Sequence, residues 1–284
     1  MKNLLEQYNL SPNKALGQHF LCDESVLLDI LSTANLQQSD FVLEVGPGLG
    51  ALTLALAQSV AHVLAVEQDP ELISILKKRL KSDNVTNVSI VSGDVLQQNL
   101  DDLLQQHRFP STYRIVANLP YQISSRFFRN VLALQSLPTS MTVLVQKEVA
   151  ERATAKAGQM SMLSVLIQSH SRAQMGSIVP PESFCPPPAV NSAILHMDIH
   201  ADWQFTSPKD SFFRVAKIGF AARRKQLLNN IAAGMNISKT EATKNLLRAN
   251  IDPSRRAQTL ELEEWDQLTM SLLGDNGDGS KGTQ

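Results

Sequence analysis

Phe41-Val42-Leu43-Glu44-Val45 runs straight into Gly46-Pro47-Gly48-Leu49-Gly50, and a helical pattern follows in Ala51-Leu52-Thr53-Leu54-Ala55-Leu56-Ala57. The apolar run has the length and composition of a buried strand. The glycines after it allow a tight turn and let the backbone approach a ligand closely. The helix behind them points its free N–H groups and positive dipole end at the same place. Strand, glycine loop and helix in this order imply an α/β domain of the Rossmann-like kind.

Two neighbouring strand patterns end in acids. His62-Val63-Leu64-Ala65-Val66 ends in Glu67, placed to accept both hydroxyls of a ribose. Val88-Ser89-Ile90-Val91 ends in Ser92-Gly93-Asp94, where Asp94 can accept from an adenine exocyclic amine. Gly46-x-Gly48-x-x-Ala51, with Glu67 further on, is compatible with a dinucleotide fingerprint. Glu44-x-Gly46-x-Gly48-x-Gly50 is also the pattern that S-adenosylmethionine enzymes carry. Glu44, which the dinucleotide fingerprint lacks, and Asp94 favour S-adenosylmethionine.

Further along, Tyr113-Arg114-Ile115-Val116-Ala117 leads into Asn118-Leu119-Pro120-Tyr121. Pro120 cannot continue a ladder, so the chain turns there. An ordinary turn would use the same residue types. At the end of a strand in an open α/β sheet, however, these residues stand where ligands bind. Asn118 Oδ1 and the Leu119 carbonyl can accept the two hydrogens of a base's exocyclic amine, and Tyr121 can stack on the ring. A helix capped by Ser124 or Ser125 follows, then strand patterns at 141–145, 173–179 and 190–199, which complete seven. Helical stretches at 149–155 and 161–171 lie between them. The loop Pro180-Pro181-Glu182-Ser183-Phe184-Cys185-Pro186-Pro187-Pro188 holds Phe184 in a stiff frame. That ring either plugs the core or sandwiches a base against Tyr121.

After Ala201-Asp202-Trp203 the strand pattern gives way to helical segments at 211–220, 225–233, 238–249 and 261–273. Ser238-x-x-Glu241 reads as a capping box. The expected organisation is an α/β domain over 1–203, a small all-helical domain over 204–274 and a disordered tail over 275–284, with a flexible arm at 1–16. Net charge is −1, yet Phe212 to Arg256 holds ten basic residues against two acidic ones. Such asymmetry suits a polyanion, with phosphate contacts at helix ends: Arg223, Arg224, Lys225, Arg248, Arg255 and Arg256. The histidines are scattered and Cys22 and Cys185 have no metal spacing, so no metal is expected. No run reaches the length of a membrane span, and the start shows no signal or transit pattern. A cytoplasmic monomer with reduced thiols is the expectation.

Gly17-Gln18-His19-Phe20-Leu21, Glu44–Gly50, Glu67, Gly93-Asp94, Asn118–Tyr121 and the Phe184 loop, in this order, resemble the ribosomal RNA adenine N6-dimethyltransferases of the bacterial small-subunit type. The resemblance extends to Val145-Gln146-Lys147-Glu148-Val149-Ala150-Glu151-Arg152 and to Arg223-Arg224-Lys225. It implies S-adenosylmethionine bound by Gln18, His19, Leu21, Glu44, Gly46, Gly48, Glu67, Asp94 and Asn118. The family often has Asn where this chain has His19. It implies a target adenine held by Asn118, Leu119, Pro120, Tyr121 and Phe184, and RNA contacts that include Lys147. The substrate would be two adjacent adenines in a hairpin loop near the 3′ end of 16S ribosomal RNA, on an assembling 30S subunit. Three alternatives stay open: the sister family acting on large-subunit RNA, an RNA-binding assembly factor with secondary methylation, and a nicotinamide oxidoreductase. The last leaves Asn118–Tyr121 and the basic helices unexplained.

Overall fold

A computed structural model of the chain describes residues 8, 10–13 and 16–275. Most of the expected arm, and the expected tail beyond Asp275, lie outside the described residues. The chain divides into two compact units. The first comprises the residues up to Glu151 together with Ser171–Ala201, the second Arg152–His170 and the chain from Asp202 onward.

The strands of the first unit are β1 (Phe20–Leu21), β2 (Phe41–Val45), β3 (His62–Glu67), β4 (Val88–Ser92), β5 (Arg114–Asn118), β6 (Ser140–Gln146), β7 (Ser171–Val179), β8 (Phe184–Cys185) and β9 (Ser192–Ile199). Seven form one sheet in the order β4-β3-β2-β5-β6-β9-β7. β2 to β6 run parallel, and β9 is antiparallel to both of its neighbours. Val42, Leu43, Val63, Leu64, Ile115 and Val116 are buried, as strands covered on both faces require. This is why the central strands read as unbroken apolar runs.

From β2 the chain adds β3 and β4 on one side, then returns to place β5 on the other. β2 and β5 are therefore neighbours at a topological switch point, the position where open α/β sheets bind ligands. The helix at Pro70–Ser82 starts at Asp69, whose side chain accepts from the Glu71 N–H. The helix after Asn118–Tyr121 spans Ser124–Val131 and has no side-chain cap, contrary to the serine cap expected. Ser124 Oγ donates instead to the carbonyls of Pro120 and Tyr121, both at 3.3 Å, and so braces the turn.

β1 and β8 form a separate antiparallel pair, with Phe20 opposite Cys185 and Leu21 opposite Phe184. The Cys22 N–H donates to the Ser183 carbonyl at 2.8 Å, and Ser183 Oγ to Asp23 Oδ2 at 3.0 Å. This clip joins the Gly17–Leu21 segment to the proline loop.

The second unit packs the helices Lys209–Gly219, Leu227–Met235, Lys239–Arg248 and Leu262–Asp275 around buried Phe212, Leu246, Trp265 and Leu268. The stretch 152–170 belongs with it, so the helical unit is not confined to the chain after the boundary expected at 203. Met160 and Val165 lie in the same core, and the Gly158 and Met160 N–H groups both donate to the Gln258 carbonyl. A helical pattern between two strands reads as a crossover, and nothing local to it shows which unit its apolar face meets. Arg255 grips Glu264 with both terminal nitrogens and Thr259 Oγ1 with Nε at 3.1 Å. Arg223, Arg224, Lys225 and Arg256 are exposed, and Arg248 donates to the Ser271 carbonyl.

A Cβ at Gly219 would stand 2.3 Å from Trp265 Cη2, a rigid ring in the centre of this core. Gly219→Ala is expected to destabilise the helical unit by about 1–3 kcal/mol. Both tryptophans, Trp203 and Trp265, lie in this unit, so urea unfolding followed by tryptophan fluorescence reads the loss directly.

Candidate functional site

The site grows from the two loops that leave β2 and β5 at one edge of the sheet. Gly46 has φ +67° and Gly48 φ +58°, left-handed conformations that side chains disfavour. A Cβ on Gly46 would stand 3.5 Å from Pro120 Cδ, and one on Gly48 would press the Phe20 ring at 3.1 Å. The glycine loop is thus walled by the turn after β5 on one side and by β1 on the other.

Glu67, at the end of β3, is buried at 5% exposure. Its Oε2 accepts from the Gly48 N–H at 3.1 Å, and its Oε1 from the Gln68 and Asp69 N–H groups at 2.8 and 2.9 Å. Burial raises its pKa, and these three N–H donors offset part of the rise. Two carboxylate oxygens offer about four lone-pair directions, so acceptor capacity remains for a ligand. The Gly93 N–H donates to the Glu67 carbonyl at 2.8 Å, which sets Asp94 beside it. Asp94 Oδ1 accepts from the Leu96 N–H at 2.9 Å.

Glu44 is the anomaly. It is 1% exposed, and its Oε2 has no hydrogen-bond partner among the described residues. Burial pushes its pKa up to about 8. The facing Thr53 hydroxyl offsets part of that without reaching hydrogen-bond geometry, and the Glu67 charge adds to it. A buried carboxyl with a free oxygen on a cavity wall is poised for a cationic ligand group.

Asn118 Nδ2 donates to the His19 carbonyl at 3.2 Å. Only the amide nitrogen can donate there, so Oδ1 is left as an acceptor. The Leu119 N–H donates to the Leu144 carbonyl at 3.1 Å, while its own carbonyl has no hydrogen bond among the described residues. Tyr121 Oη hydrogen-bonds Ser192 Oγ on β9, and burial raises the phenol pKa. The phenol therefore stays neutral. His19 lies across from Tyr121, with ring centroids 5.8 Å apart and planes at 23°. Its Nδ1 is 2.8 Å from the Pro186 carbonyl oxygen.

One cavity gathers Gln18, His19, Leu21, Glu44, Gly46, Gly48, Glu67, Asp94, Asn118, Leu119, Pro120 and Tyr121. Gln18 also braces the wall: its Nε2 donates to Asp69 Oδ2 at 2.8 Å and laces the N-terminal segment to a helix start. The structure does not bring the Phe184 ring to the cavity. That ring is 3% exposed and packs with Leu21, Val26, Val179 and Ile194. Lys147 is not at the cavity either and pairs with Glu151 at 3.2 Å. Sequence reading missed Asp69 and Ser192. Asp69-Pro70 carries a cap signature that could have revealed the first; Ser192 meets Tyr121 only through the tertiary fold. Among the described residues no three His, Cys, Asp or Glu side chains form a metal-binding group, and no helix is long and apolar enough to cross a membrane.

The family model described as Ribosomal RNA adenine dimethylase matches residues 9–269. The chain is 41% identical, over 274 residues, to the Ribosomal RNA small subunit methyltransferase A of Dehalococcoides mccartyi, covering 96% of this chain and 92% of the relative. It is 36% identical over 281 residues to the protein of that name in Alkaliphilus oremlandii, covering 95% of each. A crystal structure of a dimethyladenosine transferase from Plasmodium falciparum matches with a TM-score of 0.77 at 25% identity, over 92% of this chain and 98% of that one. The 23S rRNA methyltransferase ErmE shares the fold, with a TM-score of 0.70 at 24% identity over 89% of this chain and 99% of that one. With a family model matching nearly end to end and relatives above a third identical over almost their whole length, the chain belongs to the ribosomal RNA adenine dimethylase family.

Proposed function

We propose that the chain dimethylates the N6 amines of two adjacent adenines in the 3′-end hairpin loop of 16S ribosomal RNA, using S-adenosylmethionine, on assembling small subunits. The relatives named for the small subunit support that choice of substrate. The observation that carries the reading is the Asn118 amide. Its nitrogen is engaged by the His19 carbonyl, so Oδ1 and the Leu119 carbonyl form a pair of acceptors beside the glycine loop.

S-adenosylmethionine supplies a methyl on a sulfonium centre. The residues present suit it. Glu67 has acceptor capacity for ribose hydroxyls, Asp94 for the adenine amine, and the Gly46 and Gly48 backbone leaves room for close approach. Gln18, His19 and Leu21 close the cavity from the N-terminal side, and Glu44 meets the ligand's positive charge. For the target base, Asn118 Oδ1 and the Leu119 carbonyl accept the two amine hydrogens. This favours a pyramidal nitrogen whose lone pair aims at the methyl. Tyr121 stacks on the ring. The protein's contribution is positioning and electrostatics rather than proton abstraction. A hairpin-loop base leaves its stack at low cost. Exposed Arg223, Arg224, Lys225 and Arg256 serve as phosphate contacts, with Lys147 and Arg248 as further candidates. Arg255 is paired with Glu264, which leaves it less free for a phosphate than its exposed neighbours. The protein works as a cytoplasmic monomer on this reading.

Methyl transfer from labelled S-adenosylmethionine to small subunits lacking the 3′-end adenine methyls tests it, with large subunits as control. Two methyls on each of two adjacent adenines is the expected result. Label on large subunits would assign the chain to the sister family. No label on either, with cofactor binding intact, would leave an RNA-binding assembly factor.

Glu44 yields a second expectation. With its pKa raised to about 8, it holds its proton at pH 7 in the ligand-free protein. A cationic ligand favours the carboxylate, so binding expels that proton. Calorimetry at pH 7 in buffers of different ionisation enthalpy should show proton release approaching one per ligand. Glu44→Gln should abolish the release. At pH 9 Glu44 is already ionised, and wild type and variant should agree.

A further inference from the structure

We propose that Lys77, Lys78 and Lys81 form an RNA-backbone contact surface on the first unit, in addition to the basic residues of the helical unit. This rests on the small-subunit RNA reading of the function. All three lysines lie on the helix Pro70–Ser82, whose buried side is Leu72, Ile73, Ile75, Leu76 and Leu80. At 3.6 residues per turn, Lys77, Lys81 and Lys78 fall within about 100° of arc on the opposite side. All three are exposed. Arg79, the other cation of the run, is taken up by the fold: its Nη1 donates to the Leu49 carbonyl in the glycine loop.

Nothing local accounts for this face. None of the three lysines is paired with an acid among the described residues. Lys147, in the same unit, is paired with Glu151 one turn on. Lys77 and Lys78 instead have Lys81 one turn on, and like charges at those spacings weaken a helix. The helix dipole favours cations only in the last turn, which gives a reason for Lys81 but none for Lys77 or Lys78. A polyanion relieves such repulsion, and the release of its counterions favours the contact.

The helix starts at the cavity and carries its lysines away from it. The Asp69 N–H donates to Glu67, and the Asp69 carboxylate accepts from Gln18. The same helix packs on the glycine loop, where a Cβ at Gly50 would stand 2.4 Å from Leu76 Cδ1. Lys77 and Lys81 lie about 12 and 18 Å along the axis from Asp69. The RNA held there is therefore not the target nucleotide. Phosphate contacts of this kind fix orientation and read no bases. The ammonium groups suit the task, since a point charge on a flexible stem makes few demands on phosphate geometry. Because the helix is braced against the glycine loop, RNA gripped by it is held on a rigid extension of the cavity wall.

The test compares wild type with the triple variant Lys77→Gln/Lys78→Gln/Lys81→Gln. Affinity for small subunits lacking the adenine methyls, and for protein-free 16S RNA, is measured over a salt series. A double variant, Lys156→Gln/Arg172→Gln, removes two exposed charges outside the face and serves as the control. Three lost phosphate contacts should flatten the slope of log affinity against log salt by about 2–3 and weaken binding on the order of 100-fold at ~0.1 M salt. Methyl transfer should show the loss in KM for subunits, with kcat and cofactor affinity within about twofold of wild type. An unchanged slope would overturn the inference. So would an equal change per charge in the control, which would reduce the effect to net charge. A loss on subunits with none on protein-free RNA would also overturn it, assigning the face to a ribosomal protein. No methylation of small subunits by wild type would overturn the substrate reading, and the inference with it.

Discussion

β2 and β5 lie side by side and parallel, so the chain leaves both strands at the same edge of the sheet. Everything at the cavity depends on that adjacency. It forces two loops into one space, and the sequence of each answers the crowding. Gly46 and Gly48 take left-handed conformations, and the Pro120 ring rests against the Gly46 backbone. A methyl donor and an amine must meet within about 3–3.5 Å for displacement. On the proposed reading, two loops in contact, one suited to each reactant, bring them together without any moving part in the sheet.

The amide of Asn118 would be ambiguous in isolation, since either end could face the cavity. The His19 carbonyl removes the ambiguity by demanding a donor. That carbonyl is itself placed by the β1–β8 clip, which ties the N-terminal segment to the proline loop. A short pairing outside the main sheet thus orients a side chain at the end of one of its central strands. The acids work in the opposite sense. Glu44 and Glu67 lie close together and largely out of water, an arrangement that disfavours charge in the ligand-free protein. A cation in the cavity relieves both. Local rules broken in this way are expected at functional sites.

The sequence carried the sheet well. β2 spans the residues its apolar run predicted, and Glu67, Asp94 and Asn118 stand at or just beyond strand ends. Parallel strands buried on both faces are legible because no alternation is required of them. Glycine loops and strand-end acids are legible because turn chemistry is local. The clip of β1 and β8 was not, since two-residue strands have no period. The direction of Phe184 was not either, because a stiff loop fixes where a ring starts but not which side it turns to. Arg255 reads as a surface cation in the sequence because Glu264, which holds it, lies on another element. The allegiance of 152–170 was hidden for a similar reason: its partners, Phe212 and Gln258, come dozens of residues later.

The most direct test of the central claim is Asn118→Ala, comparing single-turnover methyl transfer with cofactor affinity. If the Asn118 carbonyl acts on the target amine, turnover falls by roughly 10²–10³, the scale of losing one preorganised polar contact to a transition state. Cofactor affinity stays within a few-fold of wild type. Equal losses in both would contradict the account and make Asn118 a residue of the donor cradle alone.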